Sequence, residues 1–264
     1  MTPTTDWNTN LPMSARKALE CLDLTSLNDL DTEADIARLC QRAQGPYGNV
    51  AAVCVWPRLA AFARAHVPAS IAVAAVANFP DGSTDIERAV RDTAEIVQAG
   101  AQEVDVVLPW RQLLSGDREG PAQLLQAVRK ASAGLRLKVI METGELRDDA
   151  AIALACRISL DCGADFLKTS TGKTATSATP QAARVVLNAI AQDTQLRDRV
   201  GFKPSGGIRT VADAASYLWL TQEILGPQAL TPQRFRIGAS SVLTDIEALL
   251  SGQGSAAPAA AGSY

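Results

Sequence analysis

Asp165-Phe166-Leu167-Lys168-Thr169-Ser170-Thr171-Gly172-Lys173 reads as a short buried strand, Asp165 to Ser170, closed by a glycine turn. A lysine inside such a strand is anomalous, because burying an unpaired ammonium costs several kcal/mol, of order ~3 or more. Taken alone, Lys168 reads as a structural lysine paired with a carboxylate. The next strand downstream repeats the anomaly: Gly201-Phe202-Lys203-Pro204-Ser205-Gly206-Gly207 carries Lys203 at its C-terminal end, again before glycines. Two lysines on successive strands suggest amine chemistry.

Working outward, the same strand-then-helix unit recurs along the chain. Upstream strands are read at Leu22–Leu27, Asn49–Trp56, Ser70–Phe79, Glu103–Leu108 and Arg136–Thr143, and a last one downstream at Phe235–Ser240. Between them lie helical stretches: Asp31-Thr32 to Gln44, Pro57 to Val67, Ser83 to Gln98, Pro121 to Ala133, Asp148 to Asp161, Thr179-Pro180 to Asp193 and Thr210 to Leu225. A short helix, Ala15–Cys21, precedes the first strand, and Thr244–Leu250 closes the series. Eight strands in strict alternation with helices imply a parallel sheet. In 264 residues this predicts a single α/β domain, a (β/α)₈ TIM barrel over 1–252, with a flexible Gly/Ser/Ala/Pro tail over 253–264. An open doubly wound sheet is the alternative, but no strand ends in a G-x-G-x-x-G turn.

Composition narrows the functions. The net charge of −3, without a basic block, argues against nucleic acid or an anionic membrane as partner. No apolar run approaches a membrane span, and the polar N-terminus lacks a signal-peptide layout. Five cysteines without metal-ligand spacing read as free thiols in a reducing cytoplasm. A single histidine, His66, makes a histidine metal site or a Ser-His-Asp triad a poor expectation. Neither metal nor organic cofactor is expected.

Alternation along the strands then locates the charges. Glu103 and Asp105 share one face of EVDVVL, and Lys138, Ile140 and Glu142 share one face of RLKVIMET; the opposite, apolar faces suit the helices. Asp105, Lys138, Lys168 and Lys203 therefore gather inside the barrel, where branched apolar packing is the rule. A purely structural ion network is the other reading, disfavoured by its desolvation cost. Two ammoniums about 4 Å apart repel by roughly 4 kcal/mol at an effective dielectric of about 20. At about 1.36 kcal/mol per unit this lowers one lysine's pKa by on the order of three units. A neutral amine beside a fixed cation is a nucleophile for carbonyl carbon. At the same barrel end, Thr171-Gly172-Lys173, Ser205-Gly206-Gly207-Ile208-Arg209 and Gly238-Ala239-Ser240-Ser241 form three small-residue loops suited to a phosphomonoester.

These segments resemble the deoxyribose-phosphate aldolases of the class I, Schiff-base-forming type. The resemblance runs through LDLTSLND (22–29), AAVCVWPR (51–58), NFPDG (78–82), EVDVVLPWR (103–111), LKVIMETGEL (137–146), ADFLKTSTGK (164–173), GFKPSGGIRT (201–210) and RFRIGASS (234–241). It implies reversible cleavage of 2-deoxy-D-ribose 5-phosphate to glyceraldehyde 3-phosphate and acetaldehyde. It makes Lys168 the Schiff-base lysine, Lys203 the cation that lowers its pKa, and Asp105 the acid-base carboxylate tuned by Lys138. It assigns phosphate binding to Gly172, Gly206, Gly207, Gly238 and Ser240, with Thr171 and Ser241 in the same loops. Asp23, Thr25 and Lys173 are expected at the sugar hydroxyls, and Tyr264 as a proton-transfer aid on the tail. The partners implied are phosphosugar and aldehyde substrates and, as is common in the family, a second copy in a homodimer. A Schiff-base aldolase for another phosphosugar and a non-catalytic sugar-phosphate binder remain the alternatives.

Overall fold

The computed structural model describes residues 6–255. Eight parallel strands form its centre: Leu22–Thr25, Ala52–Val55, Ala72–Ala77, Glu103–Val107, Arg136–Ile140, Phe166–Lys168, Gly201–Lys203 and Ile237–Ala239. Each neighbours the next in chain order, and the last pairs with the first. Bridges Phe202–Phe235 and Ser205–Gly238 join the seventh strand to the eighth and close the barrel. Nearly every strand residue is buried, because one face meets the helices and the other meets the barrel interior. Apolar strand and helix faces together make one continuous core.

Local chemistry sets the helix limits. Thr32 and Thr210 each form a capping box with an aspartate three residues on, Asp35 and Asp213, and so start Glu33–Arg42 and Val211–Leu225. Pro57 and Pro180 open Pro57–His66 and Pro180–Gln192, where a missing N–H costs nothing. The first helix is longer than the sequence suggests, Leu11–Glu20, because the Asn10 side chain accepts from the Met13 N–H. The fourth-strand approach helix starts at Ile86, not Ser83: Asp85 caps it, while the Ser83 hydroxyl donates to Asn78. The helix expected from Pro121 spans Glu119–Ala131, with Asp117 accepting from the N–H groups of Glu119 and Gly120. A five-residue helix, Trp110–Leu114, precedes it, and the closing helix begins at Val242 instead of Thr244.

One departure changes the interior. The fifth strand ends at Ile140, not Thr143, because Glu142 takes a left-handed backbone (φ 55°) and begins the one-turn helix Thr143–Leu146. Glu142 therefore does not continue the Lys138 face. At the other end of the chain, the Ser255 hydroxyl donates to Asp245; Tyr264 lies outside the described residues. Among the described residues no helix is long and apolar enough to cross a membrane.

Candidate active site

Strand register brings the charged residues together before any side chain is considered. Asp105 lies beside Lys138 on the fourth and fifth strands, and Lys168 lies beside Lys203 on the sixth and seventh. Their side chains meet at the Asp105 carboxylate. Lys138 Nζ donates to Oδ1 at 2.6 Å, and both Lys168 Nζ and Lys203 Nζ donate to Oδ2 at 2.8 Å. All four groups are buried, Lys168 being 2% exposed and the other three fully enclosed.

The ladder of charges continues down the barrel through Asp23 and Glu103 and through two arginines, Arg236 and Arg136, that the sequence reading did not single out. Lys203 also donates to Asp23 Oδ2 at 2.5 Å. Asp23 Oδ1 accepts from Arg236, whose guanidinium also grips Glu103 at 2.7 Å. Glu103 in turn holds Lys138 at 2.6 Å and Arg136 at 2.7 Å. Arg236 could have been found by alternation, since it shares a face with Gly238, whose missing side chain leaves room for Ser205 and the Lys203 stem. Asp23, anticipated at the sugar hydroxyls, has both oxygens on cations.

Four buried cations (Lys138, Lys168, Lys203, Arg236) thus face three buried carboxylates (Asp23, Glu103, Asp105). Full protonation leaves an excess positive charge in a low-dielectric interior, and loss of one proton removes it. The lysine poised to lose it is Lys168. Burial drives its pKa below the ordinary value, Asp105 pulls it upward, and the Lys203 ammonium lowers it again. Lys203 moves the opposite way: burial lowers it, but Asp105 and Asp23 together raise it above an ordinary lysine. Asp105 is itself raised by burial, yet Lys138, Lys168 and Lys203 hold it well below the usual carboxylate range. The neighbouring cation therefore contributes as the sequence suggested, but burial is the larger cause of the Lys168 shift.

The small-residue loops converge above this cluster. Gly172, Gly206 and Gly207 all have left-handed φ values near +80° (81°, 80° and 77°). A Cβ on Gly206 would come within 3.1 Å of Gly172 Cα, and the Gly206 N–H donates to Gly238 O at 3.3 Å. Ser240 and Ser241 are half-buried beside them, and Ser241 precedes Val242–Leu250 without capping it through its side chain. Thr171 is buried and its hydroxyl donates to Glu142 while accepting from the Lys173 N–H. Thr25, also buried, donates to the Asp23 carbonyl. Ser170, two residues beyond Lys168, is buried with no hydrogen-bond partner for its hydroxyl among the described residues.

An amine poised for deprotonation, a carboxylate held ionised and glycine loops at the C-terminal end of the strands are the parts of a carbonyl-addition site. Known proteins agree with that reading. An Agrobacterium fabrum deoxyribose-phosphate aldolase is 47% identical over 252 residues, covering 94% of this chain and 96% of that protein. A Toxoplasma gondii ME49 crystal structure superposes with a TM-score of 0.84 at 24% identity, covering 94% and 98% of the two chains, which speaks to the fold. The deoxyribose phosphate aldolase of Aeropyrum pernix, described as tetrameric, matches with a TM-score of 0.72 at 25% identity, over 94% and 98%. The model of the DeoC/LacD family aldolases matches residues 17–251, and the chain belongs to that family.

Proposed function

We propose that this aldolase cleaves 2-deoxy-D-ribose 5-phosphate reversibly into D-glyceraldehyde 3-phosphate and acetaldehyde, through a Schiff base on Lys168. The observation that carries the reading is the geometry of two adjacent buried lysines. Both donate to Asp105 Oδ2 at 2.8 Å, but only Lys203 has a second carboxylate, Asp23, so burial and the neighbouring ammonium lower the Lys168 pKa while Lys203 is raised. Binding alone requires no such difference. A neutral Lys168 Nζ attacks C1 of the open-chain aldehyde; the carbinolamine loses water to give an iminium. The C3 hydroxyl then gives its proton through water to Asp105, the C2–C3 bond breaks, and its electron pair moves into the iminium as an enamine. Protonation at C2 and hydrolysis release acetaldehyde and restore the amine.

Asp105 is a weak base while three ammoniums surround it. The Lys168 iminium is again a cation when cleavage starts and loses its charge as it becomes the enamine, so the carboxylate gains basicity as the proton reaches it. Lys203 and Lys138 hold its geometry, and Lys203 stays charged. Gly172, Gly206, Gly207, Gly238, Ser240 and Ser241 surround the phosphate, with Thr171 in the same loops and Lys173 and Thr25 toward the sugar. Tyr264 is proposed as a proton-transfer aid from the tail, and Asp23 as the partner that keeps Lys203 charged. A cytoplasmic homodimer is the working state.

The test is release of acetaldehyde from 2-deoxyribose 5-phosphate, run beside a panel of other phosphosugars. Preferred cleavage of deoxyribose 5-phosphate is expected. Turnover of another member instead would assign a different phosphosugar. Binding without turnover, with the same affinity in Lys168→Met, would make the protein a binder.

A further inference from the structure

Glu142 is a buried carboxylate that the catalytic ladder does not use. It is fully enclosed and its backbone sits in the left-handed region (φ 55°), an arrangement costly for a side-chain-bearing residue. Its oxygens face the loop after the sixth strand. Oε2 accepts from the Thr171 hydroxyl at 2.5 Å, and Oε1 accepts from the Thr171 N–H at 3.2 Å. The Thr174 hydroxyl lies 3.3 Å from Oε1, at the far side of the same turn. The Thr171 hydroxyl, committed as donor to Glu142, can only accept from the Lys173 N–H, which it does at 3.0 Å. One carboxylate thus fixes both the hydroxyl direction of Thr171 and the backbone position of Lys173.

The neighbouring residues are shaped for the same clamp. A Cβ on Gly144 would come within 2.0 Å of the Thr176 carbonyl, and one on Gly206 within 2.5 Å of the Ser177 hydroxyl. The loop from Thr171 to Ser177 is therefore seated against the fifth and seventh strand ends, with Glu142 as its polar fastening. Burial raises the Glu142 pKa, and the Thr171 and Thr174 donors and, last, Lys168 lower it, the net being upward.

We propose that Glu142 is a positioning residue that sets the preference for a phosphorylated substrate, by holding the Thr171–Ser177 loop against the phosphate loops. This rests on the aldolase reading above. Steady-state kinetics with 2-deoxyribose 5-phosphate and with unphosphorylated 2-deoxyribose test it. Glu142→Gln keeps the shape but cannot accept all these donors. It is expected to raise KM for the phosphorylated substrate about tenfold, the scale of a hydrogen bond to a charged group, with kcat nearly unchanged. The kcat/KM for unphosphorylated deoxyribose is expected to fall by much less, since only the Lys173 contact with the sugar is disturbed. Thr174→Val, at the half-buried end of the clamp, is expected to shift KM in the same direction by less, and decides the matter if Glu142→Gln does not fold. Equal losses on both substrates, or an unchanged preference in the folded variants while the wild type is active, would overturn the assignment alone. A wild type that cleaves neither substrate would overturn the aldolase reading beneath it.

Discussion

The barrel interior holds two groups of charges that differ in how completely they are paired. In the lower group Glu103 binds Lys138, Arg136 and Arg236, and Arg236 binds Asp23 as well. Pairing wins there. Burial opposes the charges, but Asp105 and Glu103 raise Lys138, Asp23 and Glu103 raise Arg236, and Lys138 and Arg236 hold Glu103 down. In the upper group Lys168 meets one oxygen of Asp105, which it shares with Lys203. Desolvation wins there, and Lys168 alone among the buried lysines is shifted down. A reactive amine thus arises at the end of an ion ladder, where cations outnumber carboxylate oxygens. The lower group keeps the ladder rigid; the upper group makes it reactive.

That contrast predicts different costs for the same substitution. Lys168→Met is expected to lower kcat for deoxyribose 5-phosphate by about 10⁴-fold or more, because the covalent intermediate cannot form. Thermal unfolding should show the variant at least as stable as the wild type, since a cation-rich position has lost a costly ammonium. Lys138→Met is the converse. It leaves Asp105 and Glu103 short of a cation and is expected to destabilise by about 3 kcal/mol, a drop of roughly 6–12 °C in Tm. Comparable melting temperatures for the two variants would break the comparison.

A third substitution weighs burial against the neighbouring cation. In Lys203→Met the midpoint of the pH dependence of amine reactivity at Lys168 is expected to rise, yet to stay below the ordinary lysine value of about 10.4. A return to the ordinary value would make Lys203, rather than burial, the main cause.

The smallest effect is on stability against pH, and its sign separates the groups. Asp23, Glu103 and Asp105 have depressed values. Their stabilisation is present above the unfolded carboxylate range and is lost as pH falls through their lower folded values. Lys138 and Lys203 are raised, so theirs is present below the unfolded lysine value and lost as pH rises through the folded one. Lys168 carries the opposite sign: its cost is complete below its lowered folded value and is relieved as pH rises from there to the unfolded lysine value. Chemical denaturation should therefore show the advantage of Lys168→Met shrinking as pH rises toward the ordinary lysine value of about 10.4. A difference that stays constant up to that value would mean that Lys168 is not shifted down.

Eight strand-helix units exposed the barrel, and the period of two on EVDVVL and RLKVIMET put Asp105 and Lys138 inside it, beside the two lysines that stood out in short buried strands. The same period misplaced Glu142 on the Lys138 face, because the strand ends at Ile140 and Glu142 takes a left-handed backbone. Arg236 was legible by alternation within Phe235–Ser240, on the face of Gly238, though the observed strand Ile237–Ala239 begins one residue later. The dominance of burial over repulsion at Lys168 was not legible, because it depends on enclosure from all sides.

The central claim is best tested at Lys168 itself. The protein is incubated with acetaldehyde and borohydride across a pH series, and the modified peptide is located by mass spectrometry. The account predicts an ethyl group on Lys168, absent from Lys168→Met, with a labelling midpoint below that of an ordinary lysine. Labelling of another lysine, or none in the folded protein, would contradict it.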